Sequence, residues 1–213
     1  ISSSAHLILV PKIIGWEDQG LIFDIAVHLG TLFAVIGYFA KDLQRIFTNL
    51  IISLKTKREY GQSKKFWLIV IGTIPVGIIG ITMGDFVENY LRDPIVIAFS
   101  TIIFGALLWY ADAKGDKNSD DVTIKQALII GIFQAIALIP GTSRSGITIT
   151  AALLLGINYN KAIRFSFFLS IPLIILASIS TLLKIDDTFI LQWDILIVSI
   201  ILSFISAFIC IHL

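Results

Sequence analysis

Long apolar stretches separated by short polar ones set the pattern of this chain. Ile22–Phe39 is apolar apart from Asp24 and His28. Phe66–Gly84 and Pro94–Ala111 carry no charge, and the second ends in Trp109 and Tyr110, as an interfacial aromatic anchor does. Lys161–Leu183 has Arg164 near its start and Pro172 in its middle. Gln192–Leu213 opens with Trp193 and Asp194 and then runs mostly apolar to its end. Each stretch approaches or exceeds the ~20 residues that cross a hydrocarbon core as a helix. The pattern predicts five spanning helices.

Two segments break that template. Ile124–Pro140 is mostly apolar but stops at Pro140-Gly141-Thr142-Ser143-Arg144-Ser145-Gly146, and a second apolar piece follows over Ile147–Gly156. Each piece is short for a span, so the pair reads as two half-helices forming a re-entrant hairpin. Irregular backbone is tolerated at that depth only inside protein or beside a wet cavity. Ile1–Ile14 opens with Ser2-Ser3-Ser4 and reads as the back half of a similar hairpin. The chain begins at Ile1 in mid-motif and ends at Leu213 in an apolar run, which is expected of a fragment.

Charge orients these elements. Seven Lys/Arg lie between Ala40 and Lys65, so this loop is expected inside, with Lys41–Leu54 amphipathic along the interface. The Asp85–Asp93 loop, with Arg92 alone, is expected outside. If Ile124–Gly156 dips in and returns, twelve Lys/Arg fall inside and three outside, against eleven and four if it crosses. The two hairpins then enter from opposite sides. Ser3 to Phe23 is 20 residues and Ser143 to Phe165 is 22, a spacing expected of a duplicated unit. The fold expectation is an all-α polytopic membrane protein with inverted-topology repeats and two re-entrant helix hairpins, the first truncated. It forms one domain over 1–213, repeat one about 1–111 and repeat two about 124–213. Such folds place their site near the midplane, where the broken segments meet.

Composition agrees. Hydrophobic residues make up 56% and charged ones 15%, too apolar for an ordinary soluble domain. A net charge of +1 leaves no basic excess for nucleic acid. The single cysteine, Cys210, excludes an internal disulfide and is expected to pack as a small apolar residue. The carboxylates of Glu17-Asp18, Asp85 with Glu88, Asp120-Asp121 and Asp186-Asp187 read as solvated loop charge.

Arg144 is the sharpest chemical feature, because a guanidinium deep in a membrane protein is costly and marks function. Thr142, Ser143, Ser145 and Thr148 surround it with hydroxyls, and Gly141 and Gly146 let backbone N–H groups approach a ligand. A half-helix starts there, so its N-terminal dipole adds to an anion site of phosphate size. Ser2, Ser3, Ser4 and His6 supply a second turn in which a hydroxyl and an imidazole could act as nucleophile and acid–base. Asp24 and His28 share a helix face and read first as a pair that orients the helix. Gln134, inside a half-helix, can hydrogen-bond across to the other repeat.

Ser2-Ser3-Ser4-Ala5-His6-Leu7, Phe23-Asp24, His28-Leu29-Gly30-Thr31, Pro140-Gly141-Thr142-Ser143-Arg144-Ser145-Gly146-Ile147-Thr148 and Phe165-Ser166-Phe167 together resemble the BacA-type (bacitracin-resistance) undecaprenyl pyrophosphate phosphatases. The resemblance covers the whole chain. It implies an integral membrane enzyme of the bacterial plasma membrane that hydrolyses undecaprenyl diphosphate to undecaprenyl phosphate plus inorganic phosphate. That step recycles the cell-wall lipid carrier and confers resistance to bacitracin, which competes for the substrate. Arg144 matches the family's phosphate-binding arginine, with Ser143, Ser145 and Thr148 around it. Ser2, Thr142 and Gly146 complete the expected phosphate site. Ser3 and His6 match residues proposed as nucleophile or acid–base, and the choice among Ser3, His6 and water stays open. The resemblance also implies a divalent cation, Mg²⁺ or Ca²⁺, held by a Glu-x-x-x-Glu motif expected upstream of Ile1, so this fragment is expected to lack metal-dependent hydrolysis. A homodimer is compatible with it. The competing reading is a prenyl-phosphate flippase or secondary transporter, since inverted repeats with broken helices suit a carrier as well. An acid-phosphatase-like lipid phosphatase would need histidine at position 150, where this chain has Thr150.

Overall fold

The computed structural model describes residues 3–16, 19–91, 93–114, 119, 121–183 and 193–212. Ser2, Glu17, Asp18, Arg92, Asp120, Asp186 and Asp187 lie outside the described residues. The described chain is helical: α1 (Ser3–Ile14), α2 (Gly20–Tyr38), α3 (Ala40–Thr56), α4 (Ser63–Tyr90), α5 (Pro94–Lys114), α6 (Ile124–Ile136), α7 (Arg144–Leu154), α8 (Tyr159–Leu182) and α9 (Trp193–His212). Stretches within α4, α5, α8 and α9 are long and apolar enough to cross a membrane, and α2 and α3 meet the same test as a pair bent by 74° at Phe39. The protein is a polytopic membrane protein.

The expected spans correspond to α2, α4, α5, α8 and α9, most ends agreeing to within two residues, with one extension. The apolar run Phe66–Gly84 lies within the 28-residue α4, which continues to Tyr90, so Asp85 and Glu88, expected in a loop over Asp85–Asp93, belong to the helix instead. Asp93 restarts the chain, its side chain accepting from the N–H of Ile95 at 2.7 Å ahead of α5. The half-helix pair is present as α6 and α7, 13 and 11 residues long. Thr123 opens α6 with a reciprocal capping box to Gln126, and Ser143 caps α7.

Packing divides the chain into two compact units, Ile1–Asp18 with Trp67–Leu169, and Gln19–Phe66 with Ser170–Leu213. In the first, α7 packs on both α5 and α6, and α1 also packs on α5. Its core includes Leu68, Ala127, Ile130, Ala151, Leu153 and Leu169. Gly131 of α6 sits directly on the backbone of Gly72 in α4, where an added Cβ would lie 2.9 Å from the Gly72 Cα. Small residues admit such close approach between membrane helices.

In the second unit α2 pairs with α9 along its length. A Cβ on Gly30 would lie 2.7 Å from Ser203 Cβ and 3.0 Å from the N of Phe204, so only glycine fits there. Gly30→Val should therefore lower the thermal unfolding midpoint in detergent by several degrees, the cost of overpacking being about 1–3 kcal/mol. Ser203→Ala, which keeps the contacting Cβ, should leave it unchanged. An unchanged midpoint in Gly30→Val would remove this crossing from the packing account. None of the described residues of α9 is buried, and Cys210 is exposed there. That corrects its expected packing role: an apolar run in a membrane helix does not by itself mean burial in protein.

Candidate functional site

The Pro140–Gly146 turn is built by side chains that terminate one short helix and start the next. After α6, successive N–H groups bond three residues back, Ala137 to Gln134, Leu138 to Ala135 and Ile139 to Ile136. Gly141 then takes φ +91°, a conformation that L side chains rarely adopt, and the N–H of Thr142 donates to Ile139 at 3.1 Å. Two hydroxyls of α5 hold the turn from outside. Ser100 Oγ donates to the Pro140 carbonyl at 2.6 Å, and Thr101 Oγ1 to that of Gly141 at 3.1 Å.

Ser143 ends the turn in an extended conformation, and its Oγ accepts from the N–H of Gly146 at 3.1 Å. Gly146 has to be small, because a Cβ there would lie 2.9 Å from that of Ser143. Ser145 Oγ lies 3.4 Å from Ser143 Oγ. Arg144 begins α7, half-buried, and its Nη1 donates to the Ser166 carbonyl of α8 at 3.0 Å. A guanidinium has five N–H donors, and this bond engages one. Thr148 Oγ1 lies 2.7 Å from Ser166 Oγ and also reaches the Arg144 carbonyl at 3.0 Å. Hydroxyls thus fix the arginine's backbone while α8 fixes its head.

This arrangement can bind an anion. The first-turn N–H groups of α7 have no intrahelical acceptor, the helix dipole is positive at that end, and Arg144 supplies full charge beside Ser143 and Ser145. Thr142 is buried, and its Oγ1 has no hydrogen-bond partner among the described residues. Gln134 is fully buried with both amide atoms likewise unpartnered. The set does not fit a divalent cation: Mg²⁺ and Ca²⁺ take anionic and carbonyl oxygens, and no group of His, Cys, Asp or Glu that could hold a metal occurs among the described residues.

The remaining expected residues are placed as follows. Ser3 is the first residue of α1, and His6 is an exposed residue of that helix. Asp24 and His28 are half-buried on α2 in the other unit, where His28 Nδ1 meets the Asp24 backbone carbonyl at 2.5 Å. The turn also depends on Ser100, Thr101 and Ser166, which sequence reasoning missed as site residues. The only signal was a polar pair inside an uncharged span and a serine between two phenylalanines.

Residues 1–213, the whole chain, match the family described as Bacitracin resistance protein BacA. The chain is 51% identical to Undecaprenyl-diphosphatase 1 of Pseudoalteromonas translucida, over all of this chain and 81% of that protein. It is 50% identical to Undecaprenyl-diphosphatase of Saccharophagus degradans over all of this chain and 80% of the relative, and 48% identical to that of Campylobacter concisus over all of it and 81%.

Proposed function

The chain belongs to the BacA family, and from that premise we propose that it is an undecaprenyl-diphosphatase of a bacterial plasma membrane. It hydrolyses undecaprenyl diphosphate to undecaprenyl phosphate and inorganic phosphate, which returns the lipid carrier to use and underlies bacitracin resistance. The observation that carries the chemistry is the turn before α7, where Arg144, the hydroxyls of Ser143 and Ser145 and a helix N-terminus converge.

In this reading the terminal phosphate sits at the α7 N-terminus. The N–H groups and hydroxyls take its equatorial oxygens, and Arg144 neutralises charge that builds up as the bridging P–O bond breaks. Phosphoryl transfer depends mainly on such positioning and charge stabilisation. Ser2, Thr142, Gly146 and Thr148 belong to the proposed phosphate site. The nucleophile is Ser3, His6 or a water, attacking in line, with undecaprenyl phosphate leaving; where a side chain attacks, water then hydrolyses the phospho-enzyme to inorganic phosphate and restores the residue. Asp24, His28 and Gln134 stay secondary candidates. A Mg²⁺ or Ca²⁺ requirement is part of the proposal, with ligands other than the described carboxylates.

Inverted repeats about 1–111 and 124–213 with re-entrant hairpins complete the proposed fold. In support, α6 and α7 span about 20 and 17 Å at 1.5 Å per residue, each short of a ~30 Å core.

Phosphate release from a prenyl diphosphate in detergent micelles by the full-length protein that carries this chain, with Mg²⁺ or with EDTA, tests the reading. Release that stops in EDTA is expected. Transbilayer movement of the lipid without any hydrolysis would replace it with a carrier. Ser3→Ala and His6→Ala then separate the nucleophiles: only loss of the attacking group should abolish single-turnover release, and survival of release in both variants assigns the attack to water.

A further inference from the structure

We propose that α3 is an in-plane anchor that binds anionic phospholipid, with Phe47, Ile51 and Leu54 among the acyl chains and Lys41, Arg45, Lys55, Lys57 and Arg58 on the head-group phosphates. The helix carries three distinct faces. Ile46 and Leu50 are buried. Phe47, Ile51 and Leu54 are each more than half exposed, at 53%, 53% and 61%. At 100° per residue they fall within an arc of about 60°. Lys41, Arg45 and Lys55 are exposed and fall within about 80° of each other, directly beyond that apolar arc.

The orientation follows from the bend. α2 is an apolar helix of 19 residues, and α3 leaves it at 74°. If α2 crosses the bilayer at a usual tilt of about 20°, α3 lies roughly 54° to 94° from the normal, nearer the plane than the normal throughout. An apolar face then points into the acyl region while the neighbouring lysine and arginine stems reach up to the head groups.

The basic cluster is held in place. Lys57 takes a left-handed conformation that ends the helix, and Ser53 Oγ donates to the Arg58 carbonyl at 2.7 Å. The following turn is folded back on α3: a Cβ on Gly61 would lie 2.6 Å from the Asn49 amide nitrogen. The Phe47 and Phe66 rings lie 6.0 Å apart and tie the helix to the start of α4. Between Ala40 and Lys65 there are seven basic residues against two acids, Asp42 and Glu59. That balance selects an anionic lipid surface over a zwitterionic one, and an exposed apolar stripe beside it selects lipid over a soluble acidic partner.

The test uses nanodiscs of equal parts phosphatidylcholine and phosphatidylglycerol and the Cys210→Ser background. A nitroxide at Ile51→Cys should collide with oxygen and be shielded from a nickel chelate, and one at Thr48→Cys should show the reverse bias. Shielding of the Ile51 label from both reagents would mean that a protein or a second copy covers the face, and exposure to nickel would place it in water. Either result overturns the proposal. In mild detergent the protein should retain phosphatidylglycerol over phosphatidylcholine. Combining Lys41→Gln, Arg45→Gln and Lys55→Gln should cut that preference by up to about a hundredfold, since each basic side chain near an anionic surface contributes roughly fivefold. The same number of charges removed as Lys114→Gln, Lys125→Gln and Lys161→Gln, away from the α3 apolar face, should cut it clearly less. Equal retention in the α3 variant and the parent, or equal loss in both variants, would overturn the lipid assignment.

Discussion

Arg144→Ala is expected to lower turnover by about 10³-fold or more, the scale on which an arginine facing a transferring phosphoryl group acts, while the protein stays folded. Its guanidinium donates to the Ser166 carbonyl, a group in the interior of α8 that retains an intrahelical donor when the arginine is gone. The Thr148–Ser166 hydroxyl contact at 2.7 Å does not involve the arginine side chain and still joins α7 to α8. Stability should therefore change little while chemistry collapses. Arg144→Lys keeps the charge but loses the planar fork and its several parallel donors, so its turnover should lie between the two. Phosphate release under saturating substrate, with unfolding midpoints measured on the same preparations, distinguishes the outcomes. Near-parental turnover in the alanine variant would remove Arg144 from the site, whatever the family relation.

The sequence exposes some of this design and hides the rest for physical reasons. Uncharged runs are legible because lipid enforces them, so α4, α5, α8 and α9 lie where the apolar pattern puts them. The break at Pro140–Gly146 is legible because proline, glycine and serine cannot continue an apolar helix, and Arg144 because an intramembrane cation is rare. The abrupt change from Phe39 to Lys41 marks the α2–α3 bend by composition, although its angle of 74° depends on packing. Ser100, Thr101 and Ser166 were not legible as site residues. In a membrane helix a lone hydroxyl usually bonds its own backbone, as Thr73 does to the Ile69 carbonyl, and nothing in the sequence separates those that reach across to a turn 40 residues away. The Asp24–His28 spacing carried a second ambiguity. Helical periodicity puts both on one face, and it does not say which oxygen the imidazole reaches; the backbone carbonyl at position 24 is one that it does.

Gly141→Ala should damage the protein in both stability and turnover, because the phosphate site hangs on the path of the backbone at that residue. Two penalties combine. At φ +91° an L side chain is strained, at about 1–2 kcal/mol. The new Cβ would also meet Ser100 Oγ and lie 2.5 Å from the Ile97 carbonyl and 3.0 Å from the Ile97 Cα. The carbonyl and Cα belong to the backbone of α5 and cannot rotate away, so overpacking adds about 1–3 kcal/mol. Relief requires the turn to lift off α5, which breaks the Ser100 bond to Pro140 and the Thr101 bond to Gly141. Ser143 and Arg144 follow immediately in the chain and would move with it. Gly105→Ala, elsewhere on α5, is the matched control: no atom lies within 4 Å of its Cβ, and helix propensity favours alanine by up to about 1 kcal/mol. The expected pattern is a lower unfolding midpoint and much reduced phosphate release for position 141, with neither for position 105. Parental values at both positions would mean that α5 does not set the turn, and that Arg144 is aimed by α8 alone.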